Sequence, residues 1–294
     1  MRLNDKDYAQ FLKLYSGLTY FVGMDTQIFP EDFSFLDFMN KVTIQDRIKA
    51  RDKLFEHPEY LDDFVKFNKD NLSAEEREII LGYKNFVKDK FFIVKFLAKY
   101  TVFMNDDYLF GVNALGDTFD SFFHKSELPV IATTVLLPFK GKIVYDGLML
   151  NSNISFGSNY TTSILLTYHE LKAKYGIITT LPVDEEIKNK EFSDLDKLLL
   201  MMKTKKSRDN NYYEINDLID RNPSLYPDFL KEWGRVSATA FKKKLKEINV
   251  KKQHYAVYNN VVVASADNKK EVEAKVEKLV AKKEDRDSIY YFNV

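Results

Sequence analysis

Six lysines, Lys242, Lys243, Lys244, Lys246, Lys251 and Lys252, fall within eleven residues, and Glu247 is the only acid among them. Tyr255 and Tyr258 follow at once, and Tyr290 and Tyr291 belong to a strand expected beside them. Ammonium groups attract phosphates and aromatic faces stack on bases, which is how single-stranded nucleic acid is commonly held. The run contains no arginine, so it lacks the bidentate fork that reads base edges, and any contact is expected with the backbone. A solvated helix face above a tyrosine-rich core would use the same residues, and both readings are carried forward.

A second constellation is Tyr145-Asp146-Gly147, a carboxylate inside an otherwise apolar run. If buried, its pKa would rise, and with Asp106, Asp107 or Glu170 it could serve a metal-dependent hydrolase or nuclease. The structural alternative is an Asp on the solvent side of a two-faced strand, or one accepting hydrogen bonds from its own neighbours ahead of a glycine bulge, and Asp106-Asp107 reads as a hairpin turn. The four histidines, His57, His124, His169 and His254, do not form a metal motif; His169-Glu170 begins H-E-x-x-H, but the second His is missing. The chain has no Cys, which removes disulfides, thiolate metal sites and a cysteine nucleophile. No phosphate-cradling glycine loop and no G-x-S-x-G elbow occurs. Neither a metal nor a cofactor is therefore expected, and the reading leans away from an enzyme.

The elements that would position these groups can be read from periodicity. Tyr8, Phe11, Leu12, Tyr15, Leu18 and Phe21 recur at helical spacing, and Pro30, Thr43, Pro58 and the Ser73–Glu76 capping box open four more helices. Residues 1–90 are thus expected to be helical. From Phe91, β-branched and aromatic runs over 91–97, 100–104, 108–112, 130–139 and 142–150 predict strands, with turns at Asn105-Asp106-Asp107 and Pro138-Phe139-Lys140-Gly141-Lys142. Short local connections favour an antiparallel meander or a small curled β-barrel. After Gly157-Ser158-Asn159 an amphipathic helix is expected through Ile164, Leu165, Tyr168, Leu171 and Tyr175, closed by Gly176, and another over 183–202, so the second region covers 91–202. Lys203 to Tyr213, rich in turn formers, reads as a linker. Residues 214–294 read as a small α+β module: helices over 223–233 and 236–248, then a ββαβ unit with Asp267 opening its helix.

The fold class is therefore α+β. The 24 Phe and 18 Tyr against one Trp, with 45% hydrophobic and 30% charged residues, belong to a chain with a substantial core. Net charge is zero but uneven: residues 1–130 carry 17 Lys and Arg against 22 Asp and Glu, and residues 131–294 carry 27 against 22. A basic C-terminal surface suits an acidic partner. The charged N-terminus and the lack of a long uncharged apolar run predict a cytoplasmic protein with no membrane partner.

Two phrases, Tyr83-Lys84-Asn85-Phe86-Val87-Lys88-Asp89-Lys90-Phe91-Phe92 and Leu137-Pro138-Phe139-Lys140-Gly141-Lys142-Ile143-Val144-Tyr145-Asp146-Gly147-Leu148, resemble a family of uncharacterised bacterial proteins that carries an LPFKxKIxYDGL phrase. The resemblance spans roughly residues 75–182, includes the Phe156-Gly157 pair, and implies a layout of helices, a β segment and a further helix. No known activity comes with it. The sequence thus predicts a non-enzymatic interaction protein of bacterial or phage origin whose partner is nucleic acid or a protein. The hydrolase built on Asp146 and a protein inhibitor of a host enzyme are the alternatives.

Overall fold

The computed structural model describes every residue except Asn153 and Ser155, and Lys206 only by its backbone. Contacts divide the chain into two units, Met1–Asn189 and Lys190–Val294. No described helix is long and apolar enough to cross a membrane.

In the N-terminal unit, polar side chains that satisfy otherwise unpaired backbone N–H groups start the helices. Asn4 accepts from Asp7 N ahead of α1 (Asp5–Asp25), which buries Phe11, Leu14, Tyr15, Leu18 and Val22 along one stripe. Ser34 and Thr43 cap α2 (Phe35–Lys41) and α3 (Ile44–Glu56). The short α4 (Tyr60–Phe67) precedes α5 (Ala74–Gly82), opened by the Ser73–Glu76 capping box. Phe67, spaced as though facing inward, is 77% exposed at the end of α4.

The chain becomes extended at β1 (Val87–Phe96), followed by β2 (Thr101–Met104), β3 (Leu109–Asn113), a turn of helix α6 (Phe119–Phe122), β4 (Val130–Phe139), β5 (Lys142–Tyr145) and β6 (Leu150–Ser152). The last half of β1 pairs with β2 and its first half with β4, so pairing runs β1-β2-β3-β5-β4 and back to β1. This is a closed five-stranded barrel. All its ladders are antiparallel except β3–β5, which is parallel. Side chains alternate as the pleat demands. Phe91, Phe103 and Phe110 are buried with one another and with the helices. Val94, Val102, Met104 and Leu109 form a separate cluster with α7 (Ser158–Tyr175), through Ile164, Tyr168 and Leu171. A short α8 (Glu185–Lys188) ends the unit.

The run expected as one strand over 142–150 is two strands with an interruption. Between the pairs Leu136–Tyr145 and Thr133–Leu150, β4 advances three residues and its neighbour five. The surplus is taken up by Asp146-Gly147-Leu148-Met149, with Gly147 at φ 87°, a conformation that side chains with a Cβ rarely adopt.

Tyr83 is fully buried beside Phe11 and Tyr15, and its hydroxyl has no hydrogen-bond partner among the described residues. A buried unpaired hydroxyl costs about 1–3 kcal/mol. Tyr83→Phe is accordingly expected to raise the melting temperature, and a lower value in a thermal melt would contradict the placement.

The C-terminal unit begins with α9 (Asp194–Met202), α10 (Lys205–Asn210) and α11 (Tyr212–Arg221). The stretch 203–213, expected to be a linker, is thus largely helical, with Ser207 and Arg208 buried, and the division falls at Asn189–Lys190. Local chemistry explains the helix: Thr204 accepts from Ser207 N as an N-cap, and Arg208 Nη1 donates 3.0 Å to Met202 O at the end of α9. Next comes α12 (Tyr226–Glu247), a single 22-residue helix where the sequence suggests two. Its Gly234 marks a close approach rather than a break: a Cβ there would lie 3.1 Å from Tyr290 Cβ and 3.2 Å from Val257 O. Strands β7 (His254–Tyr258) and β8 (Val261–Ala266), helices α13 (Lys269–Leu279) and α14 (Lys283–Asp287), and β9 (Tyr290–Asn293) complete the expected ββαβ unit. The sheet order is β8-β7-β9, all antiparallel. Ala256 and Ala264 bury one face of the sheet against Val272 and Val276 of α13, and Val257 and Tyr290 meet α12 on the other.

Candidate functional site

The continuity of α12 decides which lysines act together. At 3.6 residues per turn, Arg235, Ala238, Thr239, Lys242 and Lys246 share one side of the helix, with Lys243 at its margin. With Tyr290 and Phe292 of β9 they line a concave surface of about 520 Å³ that has no acidic residue in its wall. Tyr255 sits opposite Phe292 in the β7–β9 ladder, its ring stacked on that of Phe292 at 5.1 Å between centroids and 17° between planes. Four of the eight wall residues are cations, in a unit carrying 22 Lys and Arg against 17 Asp and Glu.

The structure does not gather all the residues singled out from sequence. Lys242, Lys243 and Lys246 line the concavity. Lys244, about 200° around the helix from Lys242, is exposed outside it. Lys251 and Lys252 are exposed in the connection to β7, where Lys252 has φ 58° and its N–H donates 2.9 Å to Val294 O. Tyr258 packs against the α13 cluster, away from Tyr255. Arg235 and Phe292 join the wall without being marked in the sequence. Gly234 masks Arg235 by resembling a helix break, although the spacing of seven and eleven residues to Lys242 and Lys246 is helical. Its guanidinium is partly committed, with Nε donating 2.6 Å to Glu232 and Nη2 donating 3.2 Å to Met202 O. Lys242 and Lys246 are in no ion pair among the described residues.

The second constellation, in the N-terminal unit, is built by the strand interruption. Asp146 is buried, and its Oδ1 accepts from Thr134 Oγ1 at 3.0 Å and from Leu148 N at 3.1 Å. Its Oδ2 accepts from Tyr15 Oη of α1 at 3.3 Å and faces Arg51 Nη1 of α3 at 3.6 Å. That last distance allows charge attraction but not a hydrogen bond, and Nη1 has no other partner among the described residues. Burial pushes the Asp146 carboxyl up to about 6, against the opposing pull of Arg51 and the three hydrogen bonds. Arg51 is held in turn by Asp52, which also pairs with Lys88 at 2.9 Å.

This arrangement fastens helices to the barrel: the bond from Leu148 N is the local one expected from sequence, whereas a solvent-facing Asp146 is not what is found, since the side chain is buried and reaches Tyr15 and Arg51. Asp106 and Asp107 lie in the β2–β3 turn, where Asn105 Oδ1 accepts from Asp107 N and Tyr108 N, and neither they nor Glu170 touches Asp146. Among the described residues no three His, Asp or Glu side chains stand together where they could hold a metal ion. Among the described residues no second carboxylate or histidine stands beside Asp146.

The barrel's connectivity is that of a five-stranded Greek-key barrel, an architecture that elsewhere holds oligonucleotides and oligosaccharides against its second and third strands. Here α7 packs over that face, and every residue of β2 and β3 is buried. Comparison with protein-family models, curated proteins and solved structures finds no match.

Proposed function

We propose that this is a non-enzymatic interaction protein whose C-terminal unit holds single-stranded nucleic acid along the α12–β9 concavity, through phosphate contacts from lysines and stacking on β9 and β7 aromatics. The observation that carries this reading is the wall itself: Arg235, Lys242, Lys243 and Lys246 beside Tyr290 and Phe292, without an acid. Lysines neutralise phosphates irrespective of sequence, and aromatic faces stack on any base. Binding is expected to be salt-dependent and sequence-tolerant.

The test is fluorescence anisotropy with a labelled single-stranded oligonucleotide across a salt series. Each phosphate contact on a single strand contributes a log–log slope of about −0.7. Replacing Lys242, Lys243 and Lys246 together by Glu is expected to flatten the slope by about 2 and abolish binding at physiological salt. Lys269→Glu with Lys270→Glu, on α13, should change little. No salt-sensitive binding by the wild-type chain, or equal losses in the two variants, would reject the reading.

A further inference from the structure

A cleft of about 250 Å³ opens beside Asp146 in the N-terminal unit, between α1, the loop after β3 and the end of β5. Its wall carries the half-exposed ring of Phe122, with Phe11 and Phe38 almost wholly buried behind it, and polar groups that the protein leaves unpaired. The Tyr8 and Tyr145 hydroxyls, Ser16 Oγ and the Asp117 carboxylate line it, and none makes a hydrogen bond or ion pair among the described residues. Arg47 also faces it. Its Nη2 donates 2.9 Å to Phe38 O and 3.3 Å to Met39 O, the guanidinium lies 4.6 Å over the Phe38 ring, and its Nε and Nη1 make no hydrogen bond among the described residues.

These groups define a ligand by exclusion. Charges in and behind the wall balance, Asp117 against Arg47 and Asp146 against Arg51 at 3.6 Å, so neither an anion nor a cation gains net attraction. A fixed acceptor, a fixed donor and three hydroxyls that can act either way suit a molecule bearing several hydroxyls. The half-exposed Phe122 ring suits one with an apolar C–H face as well. The volume lies just under the roughly 300 Å³ at which small-molecule sites begin, which limits the ligand to a single ring. We infer that this cleft is a binding site for a small neutral polyhydroxyl compound of monosaccharide size, with Asp117 and Arg47 fixing its orientation and Tyr145 contributing a hydroxyl contact.

The experiment uses the full chain, with D-glucose as probe and choline chloride and inorganic phosphate as the cationic and anionic comparisons, read by saturation-transfer NMR and titration calorimetry. Saturable millimolar binding of glucose is expected, with none of the other two. Asp117→Asn and Tyr145→Phe should each weaken it roughly tenfold, the loss of one good hydrogen bond. Both change few atoms at a partly open wall, and an unchanged melting temperature verifies that they fold. Saturable choline or phosphate binding without glucose binding would overturn the ligand class. Failure of glucose to bind, or binding indifferent to both substitutions, would overturn the site.

Discussion

Arg51→Met is expected to cost about 3–5 kcal/mol at pH 7.5, because it strands the Asp146 carboxylate in the interior without a counter-charge. Arg51 is 2% exposed and Asp146 is 3% exposed, so water cannot take over. The loss should shrink towards pH 5. There Asp146, whose folded-state pKa already stands at about 6, is protonated and needs no partner. The wild-type protein has its own pH dependence, with a defined sign. The folded state holds this proton to higher pH than the unfolded state, whose carboxyl titrates near 3.8. Stability from Asp146 is therefore fully present below pH 4 and declines by up to about 3 kcal/mol as pH rises through 6. Combining Asp146→Asn with Arg51→Met should recover most of the loss and flatten that decline. Urea titrations at pH 5 and 7.5 measure all three quantities, and a pH-independent cost below about 1 kcal/mol for Arg51→Met would refute the pairing.

Phe103→Ala should be as damaging, at about 3–5 kcal/mol. The ring is fully buried on β2, 6.0 Å from Phe91 and 5.1 Å from Phe119. It ties two barrel strands to the α6 turn, and its neighbours are held by ladders on both sides, so they cannot collapse into the space it leaves. Phe67→Ala is the control, since that side chain lies largely in solvent at the end of α4 and should change stability little. Comparable losses from the two substitutions would show that Phe103 does not fill the inside of the barrel.

Much of the architecture is legible in the residues because the signals are local. The Ser73–Glu76 box, the Thr43 cap and the alternation from Phe91 onward each depend on residues a few positions apart. Lys140 and Gly141, with φ of 48° and 71°, turn the β4–β5 hairpin where the sequence places it. Non-local geometry is what the sequence conceals. That β1 serves two neighbours and that β3 lies parallel to β5 depend on closure, which no window of residues encodes. The break at Asp146 is marked only by a carboxylate and a glycine, which suit a surface position equally well. For the candidate site, the lysine cluster is plain in the sequence, but its useful members are not. Gly234 looks like a helix stop and is instead the place where α12 meets Tyr290 and Val257. Only an unbroken helix brings Arg235 into line with Lys242 and Lys246 and sets them beside a strand more than forty residues further on.

Closure of the barrel also bears on self-association. Each of its five strands has a hydrogen-bonded neighbour on both sides within the same chain, so the ring itself presents no open margin, and the strand of that sheet left with an unpaired side is β6, which is only three residues long. The three-stranded sheet has no such protection, and its outer strand β8 carries Val261 and Val262 at 61% and 40% exposure. Precipitation in concentrated solution should therefore begin at that margin, and a lysine at position 262 is the substitution that would guard it.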